Sequence, residues 1–300
     1  MGFVFKKIAK ANKAKAPIVN SREYVCMVIY VIIVTYKVYF MKAFVINLKK
    51  DQDRRAFMEK QLNDLEIEHE FIEAYYAKEK IEAEISKIYD SSKSKNINGN
   101  DLSLPEIGCA YSHTLVYQKI VDQNLSYALI LEDDVKIDKR LLKVIDLVKN
   151  KHEENDKSDF DWLQIDYIQP GIFFWKHWCS LSIKEIKNNP SSIFYILLKF
   201  IYVSVLSVYE GIRNTFYNFS KILVIVSFYR PLYLASAYIV TSDGAAKLLK
   251  INTPVILTAD RLPNFVRPSF VMKAISPLIT EQQREIFASN IENINLNNHE

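Results

Sequence analysis

Glycine is scarce in this chain. It occupies 6 of 300 positions (Gly2, Gly99, Gly108, Gly171, Gly211 and Gly244), against a usual share of ~7%. The six are scattered, so neither a GxGxxG turn nor a P-loop exists. That excludes the glycine-rich cradles of simple dinucleotide-binding and P-loop proteins. The three cysteines, Cys26, Cys109 and Cys179, are an odd number and lie far apart. Without a CxxC pair, neither a zinc knuckle nor a disulfide framework is supported. The five histidines form no HExxH or HxH spacing, and no GxSxG elbow marks a serine nucleophile. Charge of one sign is also lacking. A net charge of +4, with basic and acidic residues interleaved outside the first 40 positions, disfavours nucleic-acid binding. Hydrophobic residues at 49% and charged residues at 25% exclude wholesale disorder.

What is present divides the chain into a leader, residues 1–40, and a body, residues 41–300. In the leader, Lys6, Lys7, Lys10, Lys13, Lys15 and Arg22 precede an uncharged apolar run from Tyr24 to Tyr36. The run is shorter than the ~17–25 residues that span a bilayer. It reads either as an anchor or uncleaved signal segment, or as a mis-assigned start ahead of Met41. From Met41 the pattern alternates. Lys42–Leu48 reads as a buried strand, and residues 53–65 as an amphipathic helix through Phe57, Met58, Leu62 and Leu65. Ile67–Ala74 reads as a second strand, and the polar stretch Asp90–Asp101 as a mobile loop. Ser103, three residues before Glu106 with Pro105 between them, has the spacing of a capped helix start. That helix is expected to run to about Val121. Tyr127–Leu131 follows as an uncharged, doubly buried strand. A helix near 138–149 and a strand at Trp162–Ile165 come next. Between about 170 and 231 the alternation breaks into an aromatic-rich, mainly helical insert. It resumes with a strand at Ala237–Thr241 and a helix from Asp243 to Lys250 capped by Ser242. The fold class is therefore α/β, with a mostly parallel sheet flanked by helices.

Chemistry concentrates at Leu131-Glu132-Asp133-Asp134. Three adjacent carboxylates at the carboxyl end of a buried strand repel one another unless a cation sits among them. In open α/β sheets ligands bind at that edge. Alternation along an extended segment would turn Glu132 and Asp134 to one side and Asp133 to the other. Two hard oxygens on one side suit Mg²⁺ or Mn²⁺. A solvated acidic strand end is the plainer reading of the same residues. A second cluster, Glu106-Ile107-Gly108-Cys109-Ala110-Tyr111-Ser112-His113, places small residues, a hydroxyl and an imidazole on one helix. Ser112 and His113 are candidate ligand contacts, although a lone histidine there also suits a core position. Gly108 inside a helix costs about 0.5–1 kcal/mol relative to Ala, so close approach of a backbone or ligand is expected at it.

The segments VINLKKDQDRR, PEIGCAYSHTLVYQKIV, ALILEDDV and AYIVTSDGAAKLL, in this order, resemble glycosyltransferase family 25. That family comprises the lipooligosaccharide and LPS core galactosyltransferases and also includes collagen galactosyltransferases. The resemblance covers roughly Met41 to Asp260 apart from the insert. It implies a GT-A-like, Rossmann-related fold, a UDP-sugar donor (most often UDP-galactose), a divalent metal (Mn²⁺ or Mg²⁺) and inversion at the anomeric carbon. By position it assigns Glu132, Asp133 and Asp134 to the acidic motif, with Glu132 and Asp134 as metal ligands and Asp133 at the nucleotide. Ile46, Asn47, Leu48, Arg54 and Arg55 fall where uridine and phosphate contacts are expected. Glu106, Gly108, Ser112 and His113 fall at the helix motif that shapes the site. Asp260 stands at the late acidic position, without the proline that usually precedes it. Inversion needs a base to take the acceptor proton, and the candidates are Asp260 and then Asp166.

Aromatic residues with scattered Lys and Arg in the insert suit a helix lying in a lipid headgroup region, which would bring the site to a lipid-linked oligosaccharide. A helical subdomain packed on the body reads the same residues otherwise. A UDP-sugar pool places the expected enzyme in the cytoplasm, peripheral on the inner face of a bacterial inner membrane. Two rivals remain. A Mg²⁺-dependent phosphotransferase would carry its acidic pair after the first strand, where Lys49-Lys50 stands instead. A membrane-peripheral scaffold would bind no nucleotide at all.

Overall fold

The computed structural model describes residues 41–155, 159–167, 222–227, 231–266, 269–283 and 286–287, with a few helical positions between 193 and 212. The leader, most of the expected insert and the last thirteen positions lie outside the described residues.

Strand β1 (Lys42–Asn47) leads into α1 (Gln52–Asp64) and β2 (His69–Glu73). A short 3-10 turn (Ala77–Glu79), α2 (Glu82–Ile88), α3 (Ser91–Asn98) and the long α4 (Leu104–Asp122) follow. Next come β3 (Tyr127–Glu132), β4 (Val135–Ile137), α5 (Leu141–Asn155), β5 (Trp162–Gln164) and β6 (Val224–Ser227). The described chain closes with β7 (Ala237–Thr241), α6 (Ser242–Asn252), α7 (Leu262–Phe265), β8 (Met272–Ser276) and β9 (Thr280–Gln282). Seven strands form one sheet in the order β2-β1-β3-β7-β5-β8-β6, and β4 pairs with β9 beside it.

The expected α/β architecture is present, compatible with a Rossmann-related fold. The pairings β1–β2, β1–β3 and β5–β8 are parallel. Strand β7 is inserted antiparallel between β3 and β5, and β6 runs antiparallel to β8 at the edge. Five strands thus share one direction and two oppose it. Strand β6 falls inside the span read as a mainly helical insert, so at least its end belongs to the central sheet.

Period-2 alternation sorts the strands between two faces. Phe44 and Ile46 of β1 and Ala128 and Ile130 of β3 pack with Val116, Tyr117 and Ile120 of α4 and with Ala245 and Leu248 of α6. Ala43, Val45, Leu129 and Leu131 pack on the opposite face with Met58 and Leu62 of α1 and Val144 and Val148 of α5. Each Val, Leu, Ile, Phe or Met among them, fully buried, contributes about 1.5–3 kcal/mol of transfer free energy. A third cluster, of Ala77, Ile85, Tyr89, Leu102, Ile107, Ala110 and Val255, covers the start of α4.

The polar stretch Asp90–Asp101 is not a loop but contains α3. The Asp90 carboxylate accepts from the Lys93 N–H at 2.9 Å, and Gly99 ends the helix at φ 80°, a conformation that favours glycine. Asp101 accepts from the Tyr89 and Ser91 hydroxyls and pairs with Lys95 at 2.7 Å. Local capping outweighs the polar composition. The α6 cap also sits one residue earlier than expected: Thr241, not Ser242, accepts the Gly244 N–H at 3.0 Å.

Helix α4 begins as the spacing predicts, with the Glu106 carboxylate accepting the Ser103 N–H and hydroxyl, both at 2.7 Å. At Gly108 the chain after β2 presses against the helix. A Cβ there would lie 2.5 Å from the Tyr75 carbonyl oxygen and 3.3 Å from Ala77. Replacing Gly108 with Ala is expected to cost about 1–3 kcal/mol of stability through this overlap, read from urea unfolding. An unchanged midpoint would mean the contact yields freely.

Candidate active site

The carboxyl ends of β1, β2 and β3 and the segment leading into β7 open on one cavity of about 370 Å³. Its lining includes Ile46, Leu48, Arg54, Glu106, Gly108, Ser112, Glu132, Asp133, Asp134 and Asp260. Ten of the expected site residues, drawn from four separate segments, are therefore brought together.

Their roles differ. Strand β3 ends at Glu132, and Asp133-Asp134 form the turn to β4, so the alternation expected to pair Glu132 with Asp134 stops before it can act. Asp133 is buried and held: its two oxygens accept from Asn47 Nδ2 and Arg54 Nη1, each at 2.8 Å. Burial pushes its carboxyl above the usual range, and the bonds from Arg54 and Asn47 oppose that. Asp134 lies 3.9 Å from the same guanidinium nitrogen. Its Oδ1 is buried with no hydrogen-bond partner among the described residues. Burial and then the Glu132 charge push Asp134 up to about 7, against the pull of Arg54. A buried carboxylate oxygen without a donor, beside a second carboxylate on the same guanidinium, fits a hard divalent cation.

Glu132 turns the other way, toward α4. Its Oε1 lies 3.4 Å from His113 Nε2 and 3.8 Å from Cys109 Sγ. The imidazole, 1% exposed, lies beneath the cavity. Its Nδ1 meets the Tyr238 hydroxyl at 2.7 Å, and that hydroxyl meets Tyr117 Oη at 3.0 Å. Tyr238 stacks between His113 (5.8 Å between centroids) and Trp162 (3.6 Å). Ser112 is also structural: its hydroxyl accepts the Tyr75 N–H at 2.8 Å and donates to the Gly108 carbonyl at 2.7 Å. Together with Gly108 it fixes the Tyr75–Ala77 wall.

Two expected site residues lie elsewhere. Arg55, read as a phosphate contact, faces away and covers the Phe71 ring at 3.9 Å, because one residue along a helix turns the side chain by about 100°. Asp166, the second candidate base, is buried beyond the cavity lining and accepts the Ser236 hydroxyl. Asp260 lines the cavity, and its Oδ1 accepts the Thr258 hydroxyl at 2.7 Å. Sequence reasoning missed the wall residues Tyr75, Tyr76, Lys78, Cys109, Thr258 and Gln282. Only Cys109 carried a signal, since it lies four residues before His113 on the helix.

The family model described as Glycosyltransferase family 25 (LPS biosynthesis protein) matches residues 40–263. Among curated proteins, the chain is 32% identical over 137 residues to Procollagen galactosyltransferase 1-A of Xenopus laevis, covering 43% of this chain and 21% of that protein. It is 31% identical over 148 residues to Procollagen galactosyltransferase 2 of Homo sapiens, covering 44% and 21%. The matches thus span about a fifth of the length of these relatives.

The crowding of carboxylates has a pH signature. With its folded pKa near 7, above the ordinary 3.8, Asp134 keeps a proton in the native state that the unfolded chain releases. Its contribution to stability therefore falls as pH rises from about 4 to about 7 and stays low above that. In chelator, Asp134→Asn should be more stable than wild type by about 1–3 kcal/mol at pH 8. That difference should shrink toward zero near pH 4 in urea melts. A difference flat across this range would refute the assignment.

Proposed function

The chain belongs to glycosyltransferase family 25, and on that footing we propose that it is an inverting galactosyltransferase of GT-A-like fold. It takes a hexose, galactose first, from a UDP-sugar and delivers it to a lipooligosaccharide or LPS core acceptor. The observation that carries this reading is the acidic turn Glu132-Asp133-Asp134 on the cavity wall, with one buried Asp134 oxygen unsatisfied among the described residues.

The apolar wall of Ile46, Leu48 and the Tyr75-Tyr76 segment suits a uracil ring. Arg54, fixed by Asp133 at 2.8 Å, presents a preoriented cation to a diphosphate. Asn47 braces Asp133 from the opposite oxygen, so the acidic turn holds its shape as charge develops. Asp134 would hold Mn²⁺ or Mg²⁺, with Glu132 joining it only by turning from His113 and Cys109 toward the cavity, and the ion's Lewis acidity would offset the negative charge of the departing diphosphate. In the transfer, the acceptor hydroxyl oxygen bonds the anomeric carbon from the face opposite UDP. The bond to the β-phosphate oxygen breaks with its electron pair. Asp260, held by Thr258 on the cavity wall, takes the hydroxyl proton.

Access to a lipid-linked acceptor is supported by the helical positions within the insert. Ile193, Leu197, Ile201, Val205, Val208 and Ile212, on described helical positions, are all exposed, and exposed apolar side chains suit a headgroup surface. No helix among the described residues is long and apolar enough to cross a membrane. We place the protein in the cytoplasm, on the inner face of a bacterial membrane. The procollagen names of the relatives make a procollagen peptide the alternative acceptor.

UDP release by the full chain, screened across UDP-galactose, UDP-glucose and UDP-N-acetylhexosamines with and without Mn²⁺, tests the reading. Metal-dependent turnover of one donor is expected, falling about 10²–10³-fold in Asp134→Ala and about 10²–10⁴-fold in Asp260→Asn. Normal turnover in Asp260→Asn removes it as the base, and neither turnover nor UDP binding leaves the scaffold reading. Separately, a Leu197→Glu/Val205→Glu variant should sediment with anionic phospholipid vesicles several-fold less than wild type. Equal sedimentation would exclude this face as the membrane contact.

A further inference from the structure

Helix α4 carries Cys109 and His113 one turn apart, and both face the Glu132 carboxylate at the end of β3. The three donor atoms lie within 4.8 Å of one another. Glu132 Oε1 is 3.4 Å from His113 Nε2 and 3.8 Å from Cys109 Sγ. In a tetrahedral zinc site, bonds of about 2.0–2.1 Å to N and O and about 2.3 Å to S set ligand atoms about 3.3–3.6 Å apart. The two measured edges are close to those values before any ion draws the groups together. The supporting shell is also in place. The Tyr238 hydroxyl occupies His113 Nδ1 at 2.7 Å, which leaves Nε2 for an ion and fixes the ring plane. Stacking of Tyr238 on Trp162 at 3.6 Å holds that hydroxyl in turn. Cys109 is a free thiol, partly accessible, and with Glu132 it lines the cavity.

We propose that Cys109, His113 and Glu132 form a three-ligand site for a borderline-soft divalent cation, Zn²⁺ above all, with its fourth position open to the cavity. Thiolate and imidazole select such an ion, whereas the carboxylate oxygens of the neighbouring turn select Mg²⁺ or Mn²⁺. Binding replaces the Cys109 thiol proton, which leaves to solvent, and no oxidation occurs. Glu132 is common to both donor sets. Resting on the transferase reading above, this makes Zn²⁺ an inhibitor that withdraws Glu132 from the hard-cation site.

Co²⁺ is the probe, titrated into the full chain carrying Cys26→Ser and Cys179→Ser so that Cys109 is the one thiol. A thiolate-to-cobalt charge-transfer band with intense four-coordinate visible bands is expected at one equivalent. Zn²⁺ should abolish both, and neither should form in the further variant Cys109→Ser. His113→Gln should weaken Co²⁺ binding at least about 10-fold; if that variant does not fold, the Cys109→Ser comparison decides alone. Absence of the charge-transfer band, or its persistence in Cys109→Ser, overturns the site. In UDP-release assays, Zn²⁺ should suppress the wild-type rate at least ten times more strongly than the Cys109→Ser rate, each measured against its own zinc-free value. Equal suppression overturns the sharing of Glu132. Cobalt bands in a protein that releases no UDP support the site and overturn the transferase reading alone.

Discussion

Three carboxylates at the end of a strand buried on both faces constrain the rest of this molecule. Strand β3 lies inside the seven-stranded sheet, and Ala128 to Leu131 are fully buried. Its continuation therefore emerges into low dielectric, where like charges repel strongly. The surroundings answer each charge separately. Arg54 and Asn47 neutralise and bond Asp133, while His113 and Cys109 face Glu132. Asp134 is left with a raised pKa and an oxygen that no described residue bonds. Such an imbalance is uncommon in a folded interior, because buried polar groups are nearly always satisfied. Its place at a cavity is what ties it to function.

Helix α4 is the second organising element, and it works through two adjacent stripes. Gly108 and Ser112 receive the chain after β2, the first by lacking a Cβ and the second by bonding the Tyr75 N–H. Cys109 and His113, each one residue further on, reach Glu132. A single helix therefore sets both the wall of the cavity and the orientation of one carboxylate on it. The length of the helix and its packing on β1, β3 and α6 keep those two surfaces in fixed relation. Moving α4 would disturb both at once.

Much of this was legible in the amino-acid order. Doubly buried strands such as Tyr127–Leu131 announce themselves by continuous apolar runs, and Ser103/Glu106 announce the start of α4. The acidic turn was identifiable as a site candidate from local sequence, whereas Asp260 and the strand end bearing Ile46 to Leu48 were identified by the resemblance to the family. Less legible were features decided by neighbours in space. The helix at Ser91–Asn98 depends on Asp90, Gly99 and Asp101 acting together against a polar composition. The antiparallel insertion of β7 leaves no mark on its own residues, because a strand buried on both faces reads the same in either direction. Arg54 and Arg55 are equivalent in sequence, and only the helix phase sends one to Asp133 and the other to Phe71.

The sequence by itself determined many of the elements, the α/β class and the family, since periodicity, caps and motif order are properties of contiguous residues. The tertiary structure alone decided which charges meet. The direction of β7, the retreat of Asp166 behind Ser236 and the convergence of Cys109, His113 and Glu132 follow from sheet order and helix packing. The electrostatics of a buried carboxylate depend on distances of a few ångströms to groups far away along the chain. No local pattern encodes those distances.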